Sequence, residues 1–207
     1  MPGLFVTFEG GEGTGKSTQI ERLAVRLRAG GIDPLITREP GGTPVGEAIR
    51  AVLLDPAHRP GATAEAFLME AARAELVAGV IRPALEAGRV VLCDRYDDST
   101  LAYQGGGRGL DLTLLAEWNR AATGGLKPHL TLLFDLDPGV GLDRRSSAGG
   151  ANRLDQEPAD FHRRVRTFYL TLARRESTRF VVLDATLPPD RIEGEVWAAV
   201  EKRLAGR

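Results

Sequence analysis

Residues 10–17 read G-G-E-G-T-G-K-S and fit the pattern G-x-x-x-x-G-K-[ST]. Gly10, Gly15, Lys16 and Ser17 hold its fixed positions. Glycines at this spacing let successive backbone N–H groups turn inward on phosphate oxygens. A helix starting at the same point presents its positive N-terminal end to the same anion. A lysine there reaches the β- and γ-phosphates, and the Ser17 hydroxyl ligates Mg²⁺. The candidate ATP-binding stretch is therefore Gly10, Gly11, Glu12, Gly13, Thr14, Gly15, Lys16, Ser17 and Thr18. Lysine is a rare choice in this chain: it occurs only at 16, 127 and 202, and the other 24 of 27 basic residues are Arg. Lys16 therefore carries weight, whereas a single Arg needs support from its neighbours.

That support exists at two strand ends. Arg38, in TREPGGT, follows one apolar run, and Arg95, in VVLCDRY, follows another. Two arginines beside a phosphate loop suit a doubly charged monophosphate. Asp94 ends VVLCD at the place where α/β sheets put ligands, and its carboxylate can hold a water of the Mg²⁺ shell. The segment RRSSAGGANR from 144 joins a Gly/Ser hinge to Arg144, Arg145 and Arg153. This is the composition of a lid that excludes water and stabilises charge on a transferring phosphoryl group. A GTPase would need an Asn/Thr-Lys-x-Asp guanine-reading segment, and the three lysines leave none. A motor or transporter ATPase needs more chain. A small-molecule kinase fits these features, and a module that binds nucleotide without turnover is the rival from another class.

The elements that must position these residues alternate. Strands are expected at 4–9, 34–38, 90–94, 130–136 and 180–185, mostly as continuous apolar runs, the signature of a parallel sheet buried on both faces. Helical patterns fall near 17–29, 44–54, 63–86, 111–123, 158–176 and 189–204. Phe161, Val165, Phe168, Tyr169 and Leu172 form one helical stripe. The expectation is a single α/β domain over 1–207, a three-layer P-loop NTPase fold with a five-stranded parallel sheet, helices on both faces and a lid at about 144–156. The Gly/Ser segment at 146–150 is the candidate mobile insert.

With 43 % hydrophobic residues the chain can bury a real core, and its net charge of −1 gives no bulk drive toward nucleic acid or acidic membranes. One cysteine, Cys93, cannot build a disulfide framework, which suits a reducing compartment. No apolar stretch spans a bilayer, and the first, LFVTF, is too short for a signal peptide.

The segments FEGGEGTGKST, TREPGGTPVGEAIR, AAR, DRYDDSTLAYQGGGRG and NRLDQE, in this order, resemble bacterial thymidylate kinase over nearly the whole chain. The resemblance implies ATP + dTMP ⇌ ADP + dTDP with Mg²⁺, in the route to dTTP, by a cytoplasmic homodimer. It implies Glu12 on the deoxyribose 3′-OH and Arg38 and Arg95 on the dTMP phosphate. Arg50 is a further arginine of the pocket, Arg73 meets the thymine carbonyl, Thr100 and Gln104 touch the base, and Tyr103 crowds the sugar 2′ position. Many relatives have a stacking Phe where this chain has Met69, one helical turn before Arg73. A thioether packs on a base less rigidly. Phe67 points off that face. The phosphate loop holds no Arg, so the transition-state arginine is expected in the lid, with Arg153 first and Arg144 or Arg145 in support. A kinase for another monophosphate, such as dUMP, is the alternative within the class.

Several residues have plainer readings. Asp97 and Asp98 read as helix N-terminal charges. Glu39 either holds Arg38 or Arg95 or touches the metal's water shell. Gly105, Gly106 and Gly107 read as a turn. His58, His129 and His162 lack metal-ligand spacing, with His162 on the polar side of its helix.

Overall fold

The computed structural model describes residues 3–206 except 148, 150 and 151. Its centre is a five-stranded, all-parallel sheet of β1 (Leu4–Gly10), β2 (Leu35–Arg38), β3 (Val90–Asp94), β4 (Leu130–Asp135) and β5 (Phe180–Asp184), in the order β2-β3-β1-β4-β5. The fold is the expected P-loop arrangement, and every strand sits within a residue or so of its sequence position.

The central strand β1 shows the period of two that makes a sheet hold two cores. Leu4, Val6 and Phe8 pack with α1 (Lys16–Ala29) and α9 (Pro189–Ala205), through Leu23, Leu27, Val196 and Val200. Phe5 faces the other side, with Leu76, Ile81, Cys93 and Tyr96. On that second face Thr7 and Glu9 follow, so the core turns polar toward the carboxyl ends of the strands. Thr7 Oγ1 meets Thr131 Oγ1 at 2.9 Å, and Glu9 accepts from the Tyr96 amide, the Ser99 hydroxyl and the Tyr169 hydroxyl, each at 2.7 Å.

Local sequence explains several helix ends. α2 (Pro44–Leu54) begins where Thr43 Oγ1 accepts from the Gly46 amide at 2.9 Å, with Pro44 at the first position. α6 (Leu112–Thr123) is capped by Asp111 and stops at Gly124, whose φ is 59°. The helix expected over 63–86 forms as α3 (Ala62–Leu76) and α4 (Arg82–Glu86), joined by a widened π turn at Val77–Ile81. Pro83 has no N–H and would press on the carbonyl four residues back, and the wider turn absorbs this.

The structure adds helices that turn-like composition conceals. α5 (Asp97–Thr100) runs on into a π-helical stretch, Leu101–Gly107. Gly105, Gly106 and Gly107 are therefore helical, not a turn. A Cβ at Gly106 would come within 2.7 Å of Phe168 and one at Gly107 within 2.4 Å of Phe161, so these glycines let the stretch lie against α8 (Ala159–Arg175). α7 (Pro138–Ser147) carries Arg144 and Arg145 on a helix where a loop was expected. Ala148 and Gly150 of the expected mobile insert lie outside the described residues, as does Ala151 of the expected lid.

Asp97 and Asp98 correct another expectation. They do stand in the first turn of α5, but they are fully buried and paired, so the helix end alone does not account for them. Asp97 pairs with Lys127 at 2.5 Å, and Asp98 takes both arms of Arg179, at 2.7 and 2.8 Å. Arg179 Nη1 also donates to Thr131 at 2.7 Å, tying the start of β5 to β4 and to the helix that follows Arg95. A buried pair is strongly destabilising when only one partner goes. Arg179→Met is expected to lose about 3–5 kcal/mol in urea unfolding, and adding Asp98→Asn is expected to recover part of the loss.

Candidate active site

The phosphate loop links β1 to α1. Gly15 caps the helix in the left-handed region, φ 86°, and a Cβ there would meet nothing within 4 Å, leaving the helix N-terminus open to a ligand. Gly13, φ 63°, is required by packing. A Cβ on it would sit 2.0 Å from the Gly141 carbonyl, and one on Gly141 would sit 2.3 Å from the Glu12 carbonyl. The loop and α7 thus touch backbone to backbone.

Residues 12–18 line a cavity of about 580 Å³, together with Arg38, Glu39, Arg50, Met69, Arg73, Asp94, Arg95, Thr100, Tyr103, Gln104, Arg144 and Arg145. Most candidates read from the sequence thus meet around one cavity. Gly10 and Gly11 instead back onto a small cavity behind the loop. Lys16 Nζ donates to the carbonyls of Gly11 at 2.8 Å and Gly10 at 3.3 Å and to Thr14 Oγ1 at 3.3 Å. Burial and the nearby Arg95 lower its pKa, with Asp94 and Glu12 pulling the other way.

Arg95 has φ 68°, a left-handed conformation that costs a non-glycine residue energy. Its surroundings hold it there. Its amide donates to Phe8 O at 2.9 Å, Nη1 donates to Gly10 O at 2.9 Å and Nη2 to Glu12 Oε1 at 2.7 Å. Its guanidinium lies 5.0 Å from the Tyr103 ring centre, and the Tyr103 hydroxyl donates to the same Glu12 oxygen at 2.9 Å. Burial alone would raise the Glu12 pKa. Arg95, Lys16 and the Tyr103 hydroxyl outweigh it and hold Glu12 near 2. Arg38 is clasped by both oxygens of Glu47 at 3.0 Å, and Arg50 donates to Pro40 O at 2.8 Å.

Ser17 Oγ lies 3.5 Å from Asp94 Oδ2, and Asp94 Oδ1 is buried without a hydrogen-bond partner. Among the described residues no group of three His, Cys, Asp or Glu could cage a metal. A hydroxyl beside a carboxylate with a spare oxygen suits Mg²⁺, which keeps waters and takes phosphate oxygens as further ligands.

Arg73 lies deeper than its role on a base carbonyl suggested. It is 2 % exposed. Nε and Nη2 donate to Glu39 at 2.9 and 2.7 Å, Nη2 also to Tyr96 O at 3.1 Å. Nη1 donates toward Glu70 at 2.7 Å, Asn119 at 2.7 Å and Thr100 at 2.9 Å. Glu39 therefore holds Arg73, and neither Arg38 nor Arg95. It buries an arginine that only a carboxylate can accompany.

Arg153 does not line the cavity. Its guanidinium is buried, donating to Leu53 O at 2.9 Å and to Glu65 at 2.5 Å. Arg144 and Arg145 do line it, with Arg144 donating to Ala185 O at 3.1 Å and Arg145 to Asp155 at 3.3 Å. His162 is buried, 5 % exposed, with Nε2 unpartnered, not on a polar face. Phe67 does point away, half exposed against Trp118 at 4.4 Å. Sequence reading overlooked Glu65, Glu70 and Asn119. The available signal was Glu65, Met69 and Arg73 at four-residue steps, one face of one helix.

A sequence model of the family described as thymidylate kinase matches residues 8–196. A thymidylate kinase of Deinococcus radiodurans is 56 % identical over 201 residues, 97 % of this chain and 98 % of the relative. One from Thermomicrobium roseum is 58 % identical over 198 residues, 95 % and 93 % of the two chains. The crystal structure of thymidylate kinase from Ehrlichia chaffeensis at 2.15 Å superposes with a TM-score of 0.79 at 30 % identity, covering 97 % of this chain and 99 % of that one. Together with the phosphate loop, the arginine-lined cavity and the parallel sheet beneath them, these matches mean that the chain belongs to the thymidylate kinase family.

Proposed function

We propose that this chain phosphorylates dTMP to dTDP with ATP by direct in-line transfer inside the 580 Å³ cavity. A phosphate oxygen of dTMP attacks the γ-phosphorus of ATP. The new O–P bond forms as the bond to the β-phosphate oxygen breaks, and ADP leaves with that electron pair. The acceptor is already anionic, so no protein nucleophile is needed, and catalysis is positioning plus charge neutralisation. The observation that carries this reading is the joining, in one cavity, of residues 12–18, Lys16 among them, with six arginines and a polar belt.

In this reading residues 10–18 hold the ATP phosphates, and Lys16 and Arg95 offset the charge of the transferring group. Arg38, Arg50 and Arg95 hold the dTMP phosphate, and Glu12 accepts from the deoxyribose 3′-OH. Tyr103, pinned by its bond to Glu12, fills the space a ribose 2′-OH would need. Met69 packs on the base, beside Thr100 and Gln104. Arg73 reaches a base carbonyl through Nη1, where three acceptors share two protons. The Thr100 contact yields without leaving a guanidinium proton unpaired. Ser17 and, through water, Asp94 would hold Mg²⁺, whose charge would neutralise the β- and γ-phosphates. Arg144 and Arg145, on the cavity wall, take the transition-state role. Arg153 anchors the later part of the lid segment to Glu65. A cytoplasmic homodimer belongs to the same proposal; for the dimer, exposed Phe67, packed on the half-buried Trp118, with Leu112 and Leu114 exposed on α6, offers an apolar face to a second copy.

A coupled ADP-release assay with ATP·Mg²⁺ against dTMP, dUMP, UMP, CMP, AMP and GMP tests the reading. The expected order is dTMP first, dUMP weaker and ribonucleotides poor. Preference for another monophosphate discards the base pocket, and nucleotide binding without turnover discards the kinase. Replacing Arg144 and Arg145 together by Ala is expected to lower kcat by about 100-fold or more. Arg153→Ala is expected to act mainly on the melting temperature, and a kcat loss as large as that of the pair would return the role to Arg153. Glu12 has a folded pKa below its ordinary value of 4.5, so its stabilising effect is full above that value and is lost as pH falls toward about 2. In urea unfolding the advantage of the wild type over Glu12→Gln should be steady from pH 7 to 5, at up to about 3 kcal/mol, and shrink below pH 4.5.

A further inference from the structure

Glu65 is a fully buried carboxylate that touches none of the reacting groups assigned above. Its Oε1 accepts from Gln104 Nε2 at 2.8 Å and from Arg108 Nε at 3.1 Å. Its Oε2 accepts from Arg108 Nη2 at 3.0 Å and from Arg153 Nη2 at 2.5 Å. Burial alone would raise its pKa. The hydrogen bonds from Arg108, Gln104 and Arg153 reverse this, and Glu65 lies below the usual carboxylate range. An ionised carboxylate accepts and cannot donate. This settles which end of the Gln104 amide faces it: the NH₂ group must, because two oxygens facing each other would leave both unpaired. Among the described residues no protein donor reaches Gln104 Oε1, and Gln104 lines the cavity.

We infer that Glu65 is a specificity-determining positioning residue: it locks the Gln104 amide so that only its carbonyl oxygen is offered to the base, which selects pyrimidine-2,4-diones over cytosine. The inference rests on the reading above, in which the base of the monophosphate meets Gln104. Thymine and uracil carry an N–H at ring position 3, which an amide oxygen accepts. Cytosine has a lone pair there, so oxygen would face lone pair and both would lose a partner. A site that hydrogen-bonds its substrate rejects an analogue that cannot pair more strongly than shape alone would. A free glutamine could rotate its amide and accept either base. The carboxylate behind it removes that freedom, and Arg108 and Arg153 keep the carboxylate charged.

The test compares kcat/KM for dTMP and dCMP, and Kd for both by calorimetry, in the wild type and in Glu65→Gln. A neutral Gln at 65 both donates and accepts, so Gln104 is released. The dTMP-to-dCMP ratio is expected to fall by about tenfold or more, with KM for ATP unchanged. A uniform loss on both nucleotides with the ratio intact would make Glu65 merely structural and overturn the inference. Arg108→Met is the control, since it strips one ion pair while Arg153 still pairs with Glu65 and keeps the carboxylate charged against Gln104. It should lower the melting temperature and keep the ratio within about twofold, whereas loss of the ratio there would assign the effect to general loosening and overturn the inference. If Glu65→Gln does not fold, the Gln104 side-chain amide in the ¹⁵N-labelled wild type gives the answer. NOEs from its NH₂ protons to Glu65 and none to bound dTMP are expected, and NOEs to the ligand would overturn the inference. A wild type that shows no preference for dTMP over dCMP would instead sink the proposed function itself.

Discussion

Seven cations lining one cavity repel one another, and the structure around them is arranged to hold that repulsion in check. Lys16, Arg38, Arg50, Arg73, Arg95, Arg144 and Arg145 line the cavity. Each has a protein acceptor of its own: loop carbonyls for Lys16, Glu47 for Arg38, Pro40 O for Arg50, Glu39 for Arg73, Glu12 for Arg95, Ala185 O for Arg144 and Asp155 for Arg145. Most of these acceptors stand at or just beyond the carboxyl ends of parallel strands. That edge is where the sheet can deliver many loops to one place, so the topology and the charge cluster are one constraint.

The acceptors of the arginines in and around the cavity differ in kind, and the difference separates cations that can meet a ligand from those that fix the frame. Carbonyl oxygens and the exposed Glu47 are modest partners, and a phosphate, with full charge and several oxygens, competes with them well. Glu39, Glu65 and Asp98 are buried, each clasping a buried arginine. Separating such a pair costs far more than breaking a surface contact. The first group can hand its cations to a ligand. The second fixes the framework that presents Thr100, Gln104 and Arg95. The inferred specificity belongs to the second group, because its members cannot adjust to the wrong partner without leaving a charge unpaired.

Much of this was legible in the sequence, and for physical reasons. The phosphate loop, the five strands and the arginines at strand ends depend on local spacing and short apolar runs, which survive without tertiary information. The helix at 138–147 and the helical stretch through Gly105–Gly107 did not show, because Gly and Ser lower helix propensity and only packing reveals why the glycines are there. The pairing of Glu39 with Arg73 joins residues 34 apart in the chain. The match of Glu65 with Arg153 spans 88, and no periodicity encodes it. Arg153 was read as a catalytic group from its place in a flexible-looking segment. Its burial depends on an acidic partner that the segment itself does not contain.

The close approach of Gly13 and Gly141 bears on how the lid arginines work. A helix carrying Arg144 and Arg145 rests directly on the backbone of the loop proposed to cradle the phosphates. With no side chain between the two elements, a shift of one is transmitted to the other over a distance shorter than any side chain allows. Packed interiors resist such shifts. The charges proposed to stabilise the transferring group and the amides proposed to hold its neighbours therefore keep a common frame, set by covalent backbone rather than by long, rotatable arginine stems. A lid hung only from a Gly/Ser hinge would have to rebuild that frame at every closure. With Arg144 and Arg145 on α7, that frame is part of the fold itself, which is what electrostatic preorganisation requires.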